Sequence, residues 1–112
     1  MSKYSRYPKL VASLCQVFNG WIVGGAVDYA RGLTNEKPKD FDVIIPHDQW
    51  NGACKILPAD AVINSCGGFK CKSNSVSVDV WMDDVGSIAR QQGCFAAYYP
   101  NTDTYLTSQQ GY

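Results

Sequence analysis

Three aspartates carry the chemistry that this sequence could perform. Asp40 and Asp42 stand one residue apart in KDFDVIIP, and Asp79 lies in the middle of SVSVDVW. Side chains alternate between the two faces of an extended strand, so residues two apart share a face. Asp40 and Asp42 therefore present two carboxylates on one side, together with Ile44, while Phe41, Val43 and Ile45 line the other. Two neighbouring carboxylates repel unless a cation or a shared proton stands between them. Mg²⁺ answers that need, because it takes oxygen ligands and often completes its shell with a substrate's phosphates. A pair of this kind can equally cap a strand end in solvent. Asp79 tips the balance, since an unpaired charge among alternating valines is costly. If its strand lies beside 41–45, a third acid joins the pair, as two-metal phosphoryl or nucleotidyl transfer requires. The bland reading of Asp79 is an exposed acid on an edge strand.

These residues need elements to position them. Trp21–Val23 reads as a short buried strand, and Gly24-Gly25 gives it a sharp exit into a brief helix over Ala26–Arg31, stopped by Gly32. Small residues let a phosphate approach backbone N–H groups where a helix begins; a bare tight turn fits the same residues. The polar loop that follows supplies Lys37 and Lys39, with Arg31 nearby, as candidate phosphate contacts. Each also fits a solvated surface charge. Pro38 discourages a helix there, and Pro46 ends the strand that carries the aspartate pair.

Around this centre the chain alternates helices and strands. Pro8–Phe18 is predicted as a first helix, with Leu10, Val11, Leu14, Cys15 and Phe18 on one face and Asn19-Gly20 as its stop. His47–Leu57 is predicted as a third helix whose apolar face is Trp50, Ala53, Cys54 and Leu57. Strands are expected at Ala61–Ser65, Phe69–Lys72 and Ser75–Met82, the last two joined by a tight turn at Ser73-Asn74. In Ser75–Met82 the three valines share one face and Ser77, Asp79 and Trp81 the other. A short helix near Asp83–Gln91, a strand near Cys94–Tyr99 and a final strand or tail over Asn101–Tyr112 complete the reading. The expected fold class is α+β (mixed α/β): a small central mixed or antiparallel sheet with helices on one face.

Composition narrows the function. The 112 residues suit one domain, residues 1–112, with a real core and little room for a second. No apolar run approaches the roughly 20 residues needed to span a bilayer, and MSKYSRYPK leads into an amphipathic pattern instead of a signal peptide. A cytoplasmic protein without a membrane partner is expected. The five cysteines are scattered without a CxxC and only His47 could assist them, so reduced thiols are expected and zinc is not. Net charge is zero, yet six Lys/Arg precede Asp40 against two acids, and four follow from there on against eight. A neutral chain without a basic stripe is not expected to bind extended duplex nucleic acid. A cationic front half beside an acidic centre fits a phosphate ligand bridged to carboxylates by metal.

In this order, strand, GG, helix, loop, DxD strand and a later strand with a third Asp resembles the DNA-polymerase-β-like nucleotidyltransferase superfamily. More narrowly, WIVGGAVDYARG…KDFDVII is similar to the head domain of the tRNA-nucleotidyltransferase/poly(A)-polymerase branch. GGFKCKSNSVSVDVW is similar to the glycine-led hairpin that carries the third aspartate in small members. The resemblance spans about Trp21–Trp81. It implies that Gly24 and Gly25 form the nucleotide-phosphate turn, and that Asp40 and Asp42 are shared by two Mg²⁺ ions, with Mn²⁺ as an alternative. It implies that Asp79 helps hold the catalytic metal and activate the attacking hydroxyl. The expected activity is transfer of an NMP from an NTP such as ATP to an acceptor hydroxyl, of an RNA 3′ end, a metabolite or a protein, with release of pyrophosphate. The tRNA/poly(A) branch usually has Arg-Asp after GGxx, where this chain has Asp28-Tyr29. The helical domains that follow the head in those enzymes have no counterpart, so a minimal stand-alone member is expected. A catalytically weak or inactive module that binds a nucleotide or a partner protein is the second expectation. A small interaction protein presenting Tyr98, Tyr99, Tyr105 and Tyr112 is the third.

Overall fold

The structure, a computed structural model, describes residues 3–63, 67–83 and 96–107. Among the described residues seven strands form one mixed sheet in the order β3-β4-β5-β2-β1-β6-β7. They are β1 (Trp21–Val23), β2 (Asp40–Ile45), β3 (Val62–Ile63), β4 (Phe69–Ser73), β5 (Val76–Met82), β6 (Ala96–Tyr99) and β7 (Thr104–Thr107). Only β2 and β5 run parallel; the other described pairings are antiparallel. The mixed α+β class expected from the sequence is the observed one. The expected antiparallel hairpin of the second half exists, but β5 also docks alongside β2, which makes a single sheet of both halves.

Helix α1 (Lys9–Phe18) packs against β2 and β4, and α2 (Val27–Arg31) against β1 and β6, all from one side of the sheet. The period-3.6 stripe of Leu10, Val11, Leu14 and Cys15 is buried on Ile22, Phe41, Val43, Ile45, Val78 and Val80. Phe41, about 1% exposed, anchors this layer; truncation to Ala would cost about 3–5 kcal/mol. Pro8 is the N-cap of α1 but supplies no N–H or capping oxygen. The tip of the β4–β5 hairpin does so instead: Lys9 N donates to Asn74 Oδ1 at 2.8 Å and Leu10 N to Ser73 Oγ at 3.2 Å. Asn19, at φ 59°, closes the other end in the left-handed conformation expected of an Asn-Gly stop.

The third helix is shorter than its apolar spacing suggests. A 3-10 turn covers His47–Gln49, and α3 runs only over Trp50–Cys54. Gly52 weakens the helix interior, and the chain beyond it continues in i→i−3 bonds, with Lys55 N on Gly52 O and Ile56 N on Ala53 O, both at 3.2 Å. Gly52 also lets Phe18 close on α3: an added Cβ would lie 2.9 Å from Phe18 Cε1. The β4–β5 turn falls one residue later than expected, on Asn74 and Ser75, both at positive φ (52° and 67°). That is the hairpin geometry that matches strand twist. The expected helix after Asp83 lies outside the described residues, as do Cys66, Cys94 and Tyr112. Cys15, Cys54 and Cys71 are free thiols. Tyr98 is buried beneath the helices, with its hydroxyl on Asp103 Oδ1 at 2.6 Å. This removes it from the exposed set that an interaction surface would need. No helix among the described residues is long and apolar enough to cross a membrane.

Candidate active site

The face of the sheet away from the helices carries the chemistry. Parity puts Phe41, Val43 and Ile45 of β2 under the helices, so Asp40, Asp42 and Ile44 emerge on the opposite face. In β5 the three valines are core, and Ser77, Asp79 and Trp81 emerge with the aspartates. The parallel register aligns Asp42 with Asp79 and Asp40 with Ser77. Asp42 and Asp79 are thus next-door neighbours across one strand spacing, roughly 4.8 Å, whereas Asp40 and Asp42 are about 6.7 Å apart along the strand. The geometry follows those spacings: Asp42 and Asp79 share a side-chain hydrogen bond, while Asp40 stands exposed at the strand entrance. Among the described residues, no three His, Cys, Asp or Glu side chains close into one metal-holding group. The site is a touching pair with a third carboxylate beside it.

The Asp42 carboxyl is pushed up to about 6, first by burial, then by the charges of Asp79 and Asp40 and by its hydrogen bond to Asp79; Lys70 opposes the rise. The burial has an identifiable source. Val23, aligned with Asp42 on β1, and Ile44 belong to a small apolar cluster with Trp21, Ala97 and Tyr99 on this face. Trp21 and Tyr99 stack there with ring centroids 4.9 Å apart. Asp42 therefore sits at the border between apolar surface and a field of two other carboxylates, and each neighbour disfavours its charged form.

The glycine turn closes the third side. Gly24, at φ +77°, opens a 3-10 turn over Gly24–Ala26 that runs into α2, and a Cβ there would lie 3.0 Å from Asp42 Oδ2. Only glycine takes that conformation without strain and also leaves the carboxylate its place. Gly25 is exposed, with nothing within 4 Å of where a Cβ would stand. This leaves open backbone next to the aspartates.

The basic candidates do not all gather here. Arg31 is turned to the helix side, its guanidinium 3.7 Å from the centroid of the Tyr105 ring. Lys37 lines a cleft with Arg6 and Lys9, and Lys39 is exposed just before Asp40. The cation at the aspartates is Lys70, aligned with Asp79 on β4, with Lys72 opposite Ser77 one pair further on. Both are exposed. The alternation Lys70-Cys71-Lys72 after a glycine pair was the available signal: Cys71 is core, which turns both lysines to the face of Asp79. Tyr29, in the Asp28-Tyr29 pair, is buried, with its hydroxyl on Arg6 O at 3.1 Å and its ring edge-on to Phe41. That position serves packing, and Asp28 is exposed.

No protein-family model matches the sequence, and no curated protein matches it either. The fold does have solved counterparts. A CCA-adding enzyme in complex with ATP superposes with a TM-score of 0.56 at 13% identity, over 92% of this chain and 31% of that one. A CCA-adding enzyme in complex with CTP gives 0.52 at 14%, over 92% and 30%. This chain therefore spans about a third of the length of the structures that it matches. The mixed sheet with its helices on one face is a fold that this chain shares with part of those structures.

Proposed function

We propose that this chain is the catalytic core of a Mg²⁺-dependent nucleotidyltransferase, moving an NMP unit from an NTP to an acceptor hydroxyl. One observation carries the reading: Asp42 and Asp79 meet in register on adjacent parallel strands, on the open face of the sheet, with Gly24 against Asp42. The donor set suits a hard divalent ion. It consists of carboxylate oxygens alone, and burial and the charges of Asp79 and Asp40 raise the Asp42 carboxyl, a penalty that a cation would relieve. Asp42 and Asp79 would hold the metal, with Asp40 the further carboxylate beside them, and the metal would supply charge neutralisation at the phosphates when bound. Asp79 would orient the acceptor hydroxyl and take its proton. The acceptor oxygen forms the new bond to the α-phosphorus, and the bond to pyrophosphate breaks. The open backbone at Gly25 leaves room for the phosphates, and Lys70 stands where their charge would need a partner. We place the protein in the cytoplasm, acting on an RNA end, a metabolite or a protein.

The test is pyrophosphate release and transfer of α-labelled NTP to cellular RNA, metabolites and proteins. Asp42→Asn and Asp79→Asn should each lower turnover by about 10³-fold or more. A second reading, a nucleotide-binding module of weak or absent activity, is favoured by the use of Tyr29 as a packing residue where the resembled branch carries a polar pair. Metal-dependent nucleotide binding with no pyrophosphate release toward any acceptor would establish that reading and overturn the first.

A further inference from the structure

On the helix side of the sheet, away from the aspartates, a cleft of about 480 Å³ opens between the N-terminal 3-10 turn, the start of α1 and the loop leading into β2. Among the described residues its charged lining is Arg6, Lys9 and Lys37, with no Asp or Glu. The polar groups of its floor are spent elsewhere. Tyr7 Oη donates to Ala30 O at 2.9 Å, Tyr29 Oη to Arg6 O at 3.1 Å, and Asn74 Oδ1 accepts from Lys9 N. What the cleft retains for a ligand is positive charge.

That charge is arranged against its own interest. Lys9 is the first residue of α1, and the first turn holds no acid. The helix N-terminus already carries partial positive charge and favours anions. Arg6 is fixed nearby by a bond from Nη2 to Thr34 O at 2.7 Å and by stacking 4.4 Å from the Tyr29 ring centroid. Lys37, exposed in the loop, adds a third cation. Three cationic side chains and the positive end of a helix thus border one concavity, a setting that favours an anion. A fixed guanidinium with donors beyond the one spent on Thr34, and two lysines lining the same cleft, are the cations that tetrahedral oxyanions take. The volume lies within the roughly 300–1,000 Å³ range of small-molecule sites.

We propose that this cleft is a binding site for a phosphate group, free or carried by a nucleotide or an RNA strand. It is separate from the aspartate pair and does not depend on nucleotidyl transfer. The test is a titration of the isotope-labelled full chain, in EDTA, with inorganic phosphate, adenosine 5′-monophosphate and a short oligoadenylate. Amide shifts should centre on Arg6, Lys9 and Lys37. Lys9→Gln with Lys37→Gln should weaken binding by roughly tenfold or more, and Asp42→Asn should change it less than about twofold. Both lysines are exposed, so the double variant keeps the fold, and its melting curve checks this. Equal affinity for phosphate and monophosphate assigns the site to the phosphate alone; tighter, steeply salt-dependent oligoadenylate binding assigns it to a strand. Shifts centred on Gly24 and Asp42, unchanged affinity in the double variant, or no binding of any probe up to about 10 mM would overturn the proposal.

Discussion

Replacing Asp42 by Asn should make the protein more stable at pH 8 and leave it nearly unchanged at pH 4. In the folded chain the Asp42 carboxyl titrates at about 6 against an ordinary 3.8. The folded state therefore holds this proton more tightly than the unfolded chain does. The resulting stabilisation is complete below pH 4 and is lost as pH rises through about 6. A displacement of roughly two pH units corresponds to about 3 kcal/mol. Asp42 is only partly buried, and solvent screening cuts this to about 1.5 kcal/mol. The replacement amide is neutral throughout and can still donate to Asp79, so it escapes the penalty without leaving its partner bare. Thermal melts in EDTA should show Asp42→Asn about 6–10 °C above wild type at pH 8, with the gap closing toward pH 4. Glu36→Gln, an exposed acid remote from the sheet face, should stay within about 0.5 kcal/mol of wild type at both. Mg²⁺ should raise the wild-type transition at pH 8 more than that of the variant. A gap that is equal at the two pH values, or larger at pH 4, would refute the raised Asp42 carboxyl.

Other perturbations test the site's walls. Gly24→Ala should cost about 1–2 kcal/mol, from the positive φ and the 3.0 Å approach to Asp42 Oδ2, whereas Gly25→Ala should be nearly neutral in denaturant melts. Gly68→Ala should cost about 1–3 kcal/mol, since its Cβ would fall 2.2 Å from Trp81 Cδ1 and 2.4 Å from Val80 O; chemical denaturation reads it. Lys70→Gln removes the one charge that lowers the Asp42 carboxyl. The carboxyl resonance of Asp42 should then titrate higher than in wild type, and an unchanged or lower midpoint would count against the assigned geometry.

The face assignments were legible because strand parity is a local property. Phe41-Asp42-Val43 and Val78-Asp79-Val80 state which side is core, and the structure follows them at every position. The neighbour relation between β2 and β5 was not legible, because pairing between distant strands leaves no mark in either one. Asp79 near Asp42 remained conditional until the parallel register was seen. Arg31 read as a candidate phosphate contact from its place in the chain, but the Tyr105 face, on a strand far along the sequence, holds it on the other side. Lys70 was missed for the converse reason: its importance comes from its alignment with Asp79, while by composition it is one more surface lysine. The third helix was overextended because its apolar spacing persists through Leu57, where Gly52 and the i→i−3 bonds after it no longer sustain an α-helix.

The parallel docking of β5 on β2 also has a kinetic consequence. This pairing must close a loop that contains α3, β3 and β4, and β1 with β6 closes a longer one still. Long loops impose an entropic delay before their contacts stabilise anything. The β4–β5 hairpin can form early, tied by Asn74 and Ser73 to the start of α1, and then dock as a unit. A one-residue error at that docking would turn Asp79 into the core and the valines out, an arrangement with no stable home. Chains in which β5 has not docked would thus hold the two aspartates apart, and metal affinity would arise only with that closure. Metal binding followed during refolding would then serve as a clock for the docking of β5 on β2.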